Sequence, residues 1–115
     1  MEISRKAILE PRKLWWEENG IFNPAVTEIK GRVYLLYRAV GRDHLSRFGL
    51  AMSDNGEDFI RLEEPVFEGE EDNPYERLGV EDPRAVQIGR DIFITYTAAS
   101  VHPTATLPQF PDQTP

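Results

Sequence analysis

Two short motifs each place a chemically able side chain directly before a proline. They are Asn23-Pro24 and Asp82-Pro83, and they lie 59 residues apart. A carboxylic acid can protonate the leaving group of a bond that is being cleaved, and an amide can bind the hydroxyl groups of a substrate. Because proline restricts the residue before it, we expect both side chains to project from extended backbone into one shared pocket. Asn-Pro and Asp-Pro are also common turn starters, so a purely structural role stays open.

Three arginines are candidate ligands for hydroxyl or phosphate groups. Arg84 lies two residues after Asp82 on a predicted strand, so the two share a face while Glu81 points to the other. It would contact a ligand or form a structural ion pair. Arg38 lies at a predicted strand end, where its rigid fork of donors suits paired hydroxyls or phosphate. Arg47 closes a polar loop that would form either one wall of a cleft or a solvated surface.

Runs of β-branched and aromatic residues predict the strands that position these groups. An antiparallel meander would join four of them, with hairpin turns at Lys30-Gly31 and Asp54-Asn55-Gly56. The predicted strands cover residues 25–29, 33–39, 48–53 and 59–62.

The strand pattern then restarts at an offset of 59 residues. Residues 23–29 align with residues 82–88 without a gap, and identical residues meet at Pro24, Ile29, Tyr37 and Ala39. A four-stranded unit that repeats after somewhat more than about 50 residues is typical of a β-propeller. We therefore predict an all-β fold of this type, with a β-sandwich as the alternative.

The chain divides into three predicted segments. Residues 1–20 form an N-terminal segment that leads into the fold, and residues 21–100 form the first blade and the start of a second. Residues 101–115 form an irregular Pro-rich tail, because proline cannot donate to a strand ladder. We expect either truncation or a change of reading frame near Ser100, with a natural tail on a complete domain as the alternative.

Composition excludes several classes of protein. The net charge of −7, from 20 acidic and 13 basic residues, opposes nucleic-acid binding. No apolar stretch approaches the roughly 20 residues that span a bilayer, and residues 1–6 lack the apolar core of a signal peptide. Cysteine is absent, and no histidine has a second ligand at metal spacing, so we expect no metal site. These features suit a cytoplasmic protein without membrane contact.

Four motifs, in this order and spacing, resemble glycoside hydrolase family 130. The resemblance covers residues 20–100, and its most specific part is Gly79-Val80-Glu81-Asp82-Pro83-Arg84. It implies a five-bladed β-propeller, of which this chain would hold only the first one to two blades. The other motifs are Asn23-Pro24-Ala25, Tyr37-Arg38-Ala39 and residues 46–53.

The same resemblance implies an activity. Most family members are inverting phosphorylases that cleave β-mannosides, such as β-1,4-mannooligosaccharides or mannosyl-glucose, and release α-mannose 1-phosphate. Asp82 then corresponds to the general acid, acting through a sugar hydroxyl, while Asn23 and Arg38 bind the mannose at the cleavage point. Inorganic phosphate is the co-substrate, no other cofactor is implied, and self-association is common in the family.

Two alternatives remain beside phosphorolysis. Some family members are β-mannosidases that use water, and an inverting hydrolase would need a second carboxylate as base. The phosphate-binding residues of the family come from later blades, so we expect these 115 residues to be inactive alone. A non-catalytic sugar-binding or assembly fragment is the other alternative.

Overall fold

The computed structural model describes residues 2–100, and their regular structure is almost entirely β. Pro74–Glu76 forms a single 3-10 turn. Among residues 2–100, no helix has the length and apolar character needed to cross a membrane. The strands are β1 (Gly20–Ile29), β2 (Arg32–Val40), β3 (Ser46–Ser53), β4 (Ile60–Arg61), β5 (Gly79–Ile88) and β6 (Asp91–Ala99). The predicted tail at 101–115 lies outside the described residues.

The first hairpin joins β1 to β2 in antiparallel register, as predicted. Its two turn residues, Lys30 and Gly31, have φ values of 50° and 82°. Left-handed conformations at both central positions match the right-handed twist of the flanking strands, and glycine adopts one at no steric cost.

The second hairpin joins β3 to β4, and here the predicted strand is too long. The strand itself covers only Ile60 and Arg61, opposite Met52 and Ala51, whereas the sequence predicted a strand over 59–62. The Leu62 amide still donates to the Leu50 carbonyl oxygen of β3 at 3.1 Å. The intervening turn is organised by Asn55, whose side-chain oxygen accepts hydrogen bonds from the backbone of Glu57 and Asp58. The four-stranded antiparallel meander is therefore present, with a short last strand.

Hydrogen bonds join all six strands into one open sheet, ordered β1-β2-β3-β5-β6 with β4 paired to β3. The link between β3 and β5 is a single parallel pair, Ser46 with Gly79. A Cβ on Gly79 would lie 2.4 Å from the Ser46 carbonyl oxygen, so only glycine allows this approach. All-β architecture is confirmed, while the separation into propeller blades stays a prediction.

The hydrophobic core lies between the sheet and the N-terminal segment. Trp16 is fully buried and stacks on Tyr37, with ring centroids 6.3 Å apart. Its indole nitrogen donates to the Glu63 carbonyl oxygen at 2.8 Å. The segment predicted only to lead into the fold thus supplies the centre of the core. The other buried members are Leu35, Ala39 and Ala51.

The repeat seen in the sequence is also a structural repeat. The bounds of β5 and β6 are those of β1 and β2 shifted by 59 residues, an offset that also relates Asn23 to Asp82. The equivalence includes the first glycine of each unit, Gly20 and Gly79, both with positive φ. We call residues 17–40 the first hairpin unit and residues 76–99 the second.

Candidate active site

Each hairpin unit carries one β-bulge, and the two bulges occupy equivalent positions. In the first unit the register shifts between Phe22 and Ala25, so that Asn23-Pro24 lies opposite Tyr37. In the second unit it shifts between Glu81 and Arg84, so that Asp82-Pro83 lies opposite Tyr96. A bulge places two residues opposite one and redirects a side chain, which is why bulges are frequent beside functional sites.

The backbone at both motifs differs from the extended geometry that the following proline predicted. Asn23 has a φ of 42° and Asp82 has a φ of 50°, so both are left-handed. The bulge requires the left-handed backbone conformation at these two residues. Asn and Asp tolerate that conformation better than most residues, because their short polar side chains form local hydrogen bonds. The expectation was wrong in backbone conformation because cross-strand register overrides the local preference imposed by proline.

The two bulges bring Asn23 and Asp82 into contact. The Asn23 side-chain amide donates a hydrogen bond to Asp82 Oδ1 at 3.1 Å. Among residues 2–100, no hydrogen bond reaches the second carboxylate oxygen of Asp82. The structure therefore unites the two side chains that the sequence assigned to one pocket, and it leaves one carboxylate oxygen for a ligand.

Arg38 lies on β2, opposite Phe22 of β1, and its guanidinium contacts three neighbours. Nε donates to Ser46 Oγ at 2.8 Å, and Nη2 donates to Glu81 Oε2 at 3.1 Å. The guanidinium carbon lies 5.4 Å from the centre of the Phe22 ring. Since Glu81 is adjacent to Asp82, this ion pair keeps Arg38 near the carboxylate. The side chain is 25% exposed, so it is accessible to a ligand.

Arg47, the third predicted ligand on the first unit and its loop, lies elsewhere. It pairs with Ala39 across the ladder, one residue out of phase with Arg38, and so projects from the opposite face of the sheet. Burial would lower its pKa, but ion pairs with Asp43 at 2.8 Å and Glu68 at 2.7 Å raise it above its ordinary value. Its guanidinium also lies over Trp15, 4.7 Å from the ring centre. Arg47 is not part of the Asn23–Asp82 cluster.

Arg84 remains exposed at the end of the second bulge. Among residues 2–100 it forms no ion pair, so the structural pairing considered from the sequence is not seen in that range. The expected shared face with Asp82 assumed strict alternation along β5, and the bulge interrupts that alternation between Glu81 and Arg84. Within residues 2–100, neither a hydrogen bond nor an ion pair joins Arg84 to Asp82.

Sequence reasoning missed a buried glutamate, Glu17, that accepts a hydrogen bond from the tyrosine opposite the first bulge. Glu17 is 0% exposed and accepts hydrogen bonds from Arg12, Arg61 and the Tyr37 hydroxyl. Burial raises the pKa of Glu17, but these donors outweigh it, so the pKa lies below its ordinary value. Glu76, at the equivalent position, accepts from Tyr96. An alignment at the same offset, extended six residues toward the N-terminus from Asn23, would have paired the two glutamates.

A cavity of about 260 Å³ lies beside Asn23, between β1 and the N-terminal segment. Its lining includes Ile8, Leu9 and Phe22 and is mainly apolar, and it contains neither Asp82 nor Arg38. The Asn23–Asp82 cluster is therefore an open polar surface beside an apolar cavity. Chemically it offers one carboxyl group as proton donor, with an amide and a guanidinium as hydrogen-bond donors.

Comparison with known proteins identifies the family. A family profile for glycoside hydrolase family 130, described as β-1,4-mannooligosaccharide phosphorylase, matches residues 3–107. The 1,2-β-oligomannan phosphorylase of Thermoanaerobacter sp. is 35% identical over 103 residues, covering 83% of this chain and 34% of its own. The β-1,2-mannobiose phosphorylase of the same organism is 35% identical over 109 residues, covering 83% and 35%.

A solved structure extends the likeness to three dimensions. It is described with glycoside hydrolases of this family that target β-1,2 mannosidic linkages in Candida mannan. It has a TM-score of 0.73 at 33% identity, covering 83% of this chain and 33% of its own. The chain spans about a third of the length of the curated relatives it matches. By sequence profile, relatives and structure, the chain belongs to glycoside hydrolase family 130, the mannoside phosphorylase family.

Proposed function

We propose that this chain supplies the general acid and part of the sugar subsite of a β-mannoside phosphorylase. Asp82 is the acid, and Asn23 and Arg38 bind the mannose at the cleavage point. The observation that carries the proposal is the contact between equivalent bulges, in which Asn23 donates to Asp82 at 3.1 Å. The ion pair of Arg38 with Glu81 adds a guanidinium beside the same carboxylate.

The proposed reaction is a single displacement with inversion. A phosphate oxygen forms a bond to the anomeric carbon while the bond from that carbon to the glycosidic oxygen breaks. The proton of Asp82, relayed through a sugar hydroxyl, goes to the departing oxygen. The products are α-mannose 1-phosphate and a mannoside shortened by one residue. Inorganic phosphate is already a competent nucleophile, so this reaction needs an acid but no carboxylate base.

The proposed fold is a five-bladed β-propeller in which β1 and β5 are the inner strands of neighbouring blades. Two features support it: the hairpin units repeat with equivalent bulges, and the equivalent residues Asn23 and Asp82 face each other. Inner strands that surround a common axis would meet in this way.

For the substrate we propose a mannose-containing oligosaccharide with a β-1,2 or β-1,4 linkage. The two curated relatives are named for β-1,2 substrates, whereas the family profile is named for β-1,4-mannooligosaccharides. We further propose that the protein acts in the cytoplasm and self-associates.

A β-mannosidase is the second candidate function. It is favoured by the solved structure described with hydrolases that target β-1,2 mannosidic linkages. Such an enzyme would use Asp82 in the same role, with water in place of phosphate as the nucleophile. Dependence of turnover on phosphate separates the two functions.

A chimera provides the test. In it, this chain replaces the third of the Thermoanaerobacter 1,2-β-oligomannan phosphorylase that it matches. It would be incubated with β-1,2- or β-1,4-mannobiose, with and without inorganic phosphate, beside the unaltered relative. Phosphate-dependent release of mannose 1-phosphate supports the proposal. Equal release of free mannose in both conditions assigns the hydrolase instead, and a folded chimera with no turnover contradicts both.

A further inference from the structure

We infer that Glu81 is a positioning residue that fixes the guanidinium of Arg38 beside Asp82. The inference rests on the proposed function, because it is the sugar subsite that Arg38 would serve. It begins from a symmetry of the two bulges. Phe22 and Glu81 occupy equivalent positions, immediately before Asn23 and Asp82, and both contact Arg38. Arg38 is thus held between the two hairpin units.

Two hydrogen bonds and one aromatic contact restrict the position and the orientation of the Arg38 guanidinium. Nε donates to Ser46 Oγ at 2.8 Å, and Nη2 donates to Glu81 Oε2 at 3.1 Å. The Phe22 ring covers one side, with its centre 5.4 Å from the guanidinium carbon. A guanidinium has five donors, and these bonds use two of them. Within the part of the chain that the structure describes, Nη1 makes no hydrogen bond, so it is available to a ligand hydroxyl or phosphate.

Glu81 differs from the other two neighbours because it comes from the second hairpin unit. Ser46 and Phe22 lie on strands that pair directly with β2, so they would hold Arg38 wherever the second unit stood. Among residues 2–100, Glu81 alone joins the Arg38 side chain to the bulge that carries Asp82. Its carboxylate therefore sets the distance between the sugar-binding cation and the catalytic acid.

The test uses the 115-residue chain and two readouts on the same samples. The first is the nuclear magnetic resonance signal of the Arg38 Nε–H, assigned by its absence in Arg38→Lys. The second is calorimetric affinity for β-1,2-mannobiose. The variants are Glu81→Gln, which keeps the side-chain shape but removes the charge, and Glu81→Ala. Glu28→Gln on β1 is the matched control, because Glu28 is exposed and far along the strand from the bulge. The Trp16 indole signal reports that the core is intact.

In Glu81→Gln we expect the Arg38 signal to broaden and exchange faster with water, and mannobiose affinity to fall roughly tenfold. Glu28→Gln should change neither. An Arg38 signal that stays as sharp as in the wild type in both Glu81 variants would overturn the inference. Unchanged affinity despite a broadened signal would also overturn it, because Arg38 would then need no positioning. A folded wild-type chain that binds no mannobiose would count against the proposed sugar site, and the Arg38 signal alone would then decide the role of Glu81.

Discussion

Glu17 and Glu76 occupy equivalent positions in the two hairpin units, and each carboxylate accepts a hydrogen bond from the tyrosine opposite a β-bulge. The distance from Tyr37 Oη to Glu17 Oε1 is 2.9 Å. Glu17 also forms ion pairs with Arg12, in the N-terminal segment, and with Arg61, on β4. Glu17 therefore links Tyr37, opposite the first bulge, to the N-terminal segment through Arg12 and to β4 through Arg61.

Glu17→Gln should lower the free energy of unfolding by about 3 kcal/mol, because it leaves Arg12 and Arg61 without a buried counter-charge. Urea denaturation of the 115-residue chain measures this change. The control, Glu28→Gln at an exposed position of β1, should stay within about 0.5 kcal/mol of wild type. Equal stabilities of the two variants would show that the buried network contributes nothing net.

The same network predicts a pH dependence with a definite sign. The pKa of Glu17 is lowered in the folded chain from an ordinary value of 4.5, so its contribution is fully present above that value. It is lost as the pH falls through the folded-state pKa. The stability difference between wild type and Glu17→Gln should therefore be constant between pH 7 and pH 5 and shrink at pH 3. A difference that does not vary over this range would contradict the assignment.

Asp82→Asn should abolish phosphorolysis by the chimera, with a loss of at least about 100-fold, because an amide cannot supply the proton. Folding should survive, since the amide oxygen of the new side chain can still accept from Asn23. The control is Asp91→Asn at the exposed start of β6. Rates of mannose 1-phosphate release compare the three proteins, and an active Asp82→Asn chimera would exclude Asp82 as the acid.

Asn23→Asp should lower the free energy of unfolding at neutral pH by about 1 kcal/mol. The substitution replaces the hydrogen bond of 3.1 Å between Asn23 and Asp82 with two carboxylates that repel each other. Repulsion raises the pKa of one member of such a pair. The destabilisation is therefore largest at pH 7 and diminishes as the pH falls through that raised pKa. Urea denaturation at pH 7 and pH 4 measures it. A variant as stable as wild type at both values would show that the contact is not maintained in solution.

Gly49→Ala should destabilise the core by about 3 kcal/mol, because the new Cβ would lie 2.4 Å from Tyr37 Cζ and 2.7 Å from Trp16 Cη2. Gly31→Ala in the first hairpin turn meets no atom within 4 Å and carries only the strain of a φ of 82°. We expect that strain to cost about 1 kcal/mol. Thermal or urea denaturation compares the stabilities of the two variants. A smaller loss of stability in Gly49→Ala than in Gly31→Ala would mean that the rings of Tyr37 and Trp16 move to accommodate the new Cβ.

The strands and hairpin turns were predictable because their signals are local. β-branched and aromatic runs gave β2 and β3, and Lys30-Gly31 gave the first turn. The extent of β4 was not predictable, since pairing of residues 59–62 depends on the turn that Asn55 organises. The role of residues 1–20 was also missed, because Trp16 becomes a core residue only through contacts with β2 and Glu63.

The residues that form the candidate site were easier to predict than their arrangement in space. The repeat identified Asn23 and Asp82 as equivalent residues with side chains in one pocket; the two side chains are in hydrogen-bond contact, whereas the cavity beside Asn23 does not include Asp82. Their left-handed backbone follows from the bulges, which are fixed by cross-strand register and leave no mark in local composition. Arg47 and Arg38 lie on opposite faces of the sheet because Arg47 pairs with Ala39, the neighbour of Arg38. This pairing depends on the register between β2 and β3, which the sequence alone does not define.

Glu81 and Asp82 are consecutive residues on one bulge, yet they bind partners on two different strands, Arg38 on β2 and Asn23 on β1. A shift of the second unit away from the first would break both bonds in the same movement. Asp82, the proposed proton donor, and Arg38, the proposed sugar-binding cation, therefore cannot move independently of each other. Any change that loosens the docking of these units, even one far from Asp82, should therefore reduce substrate affinity and turnover together.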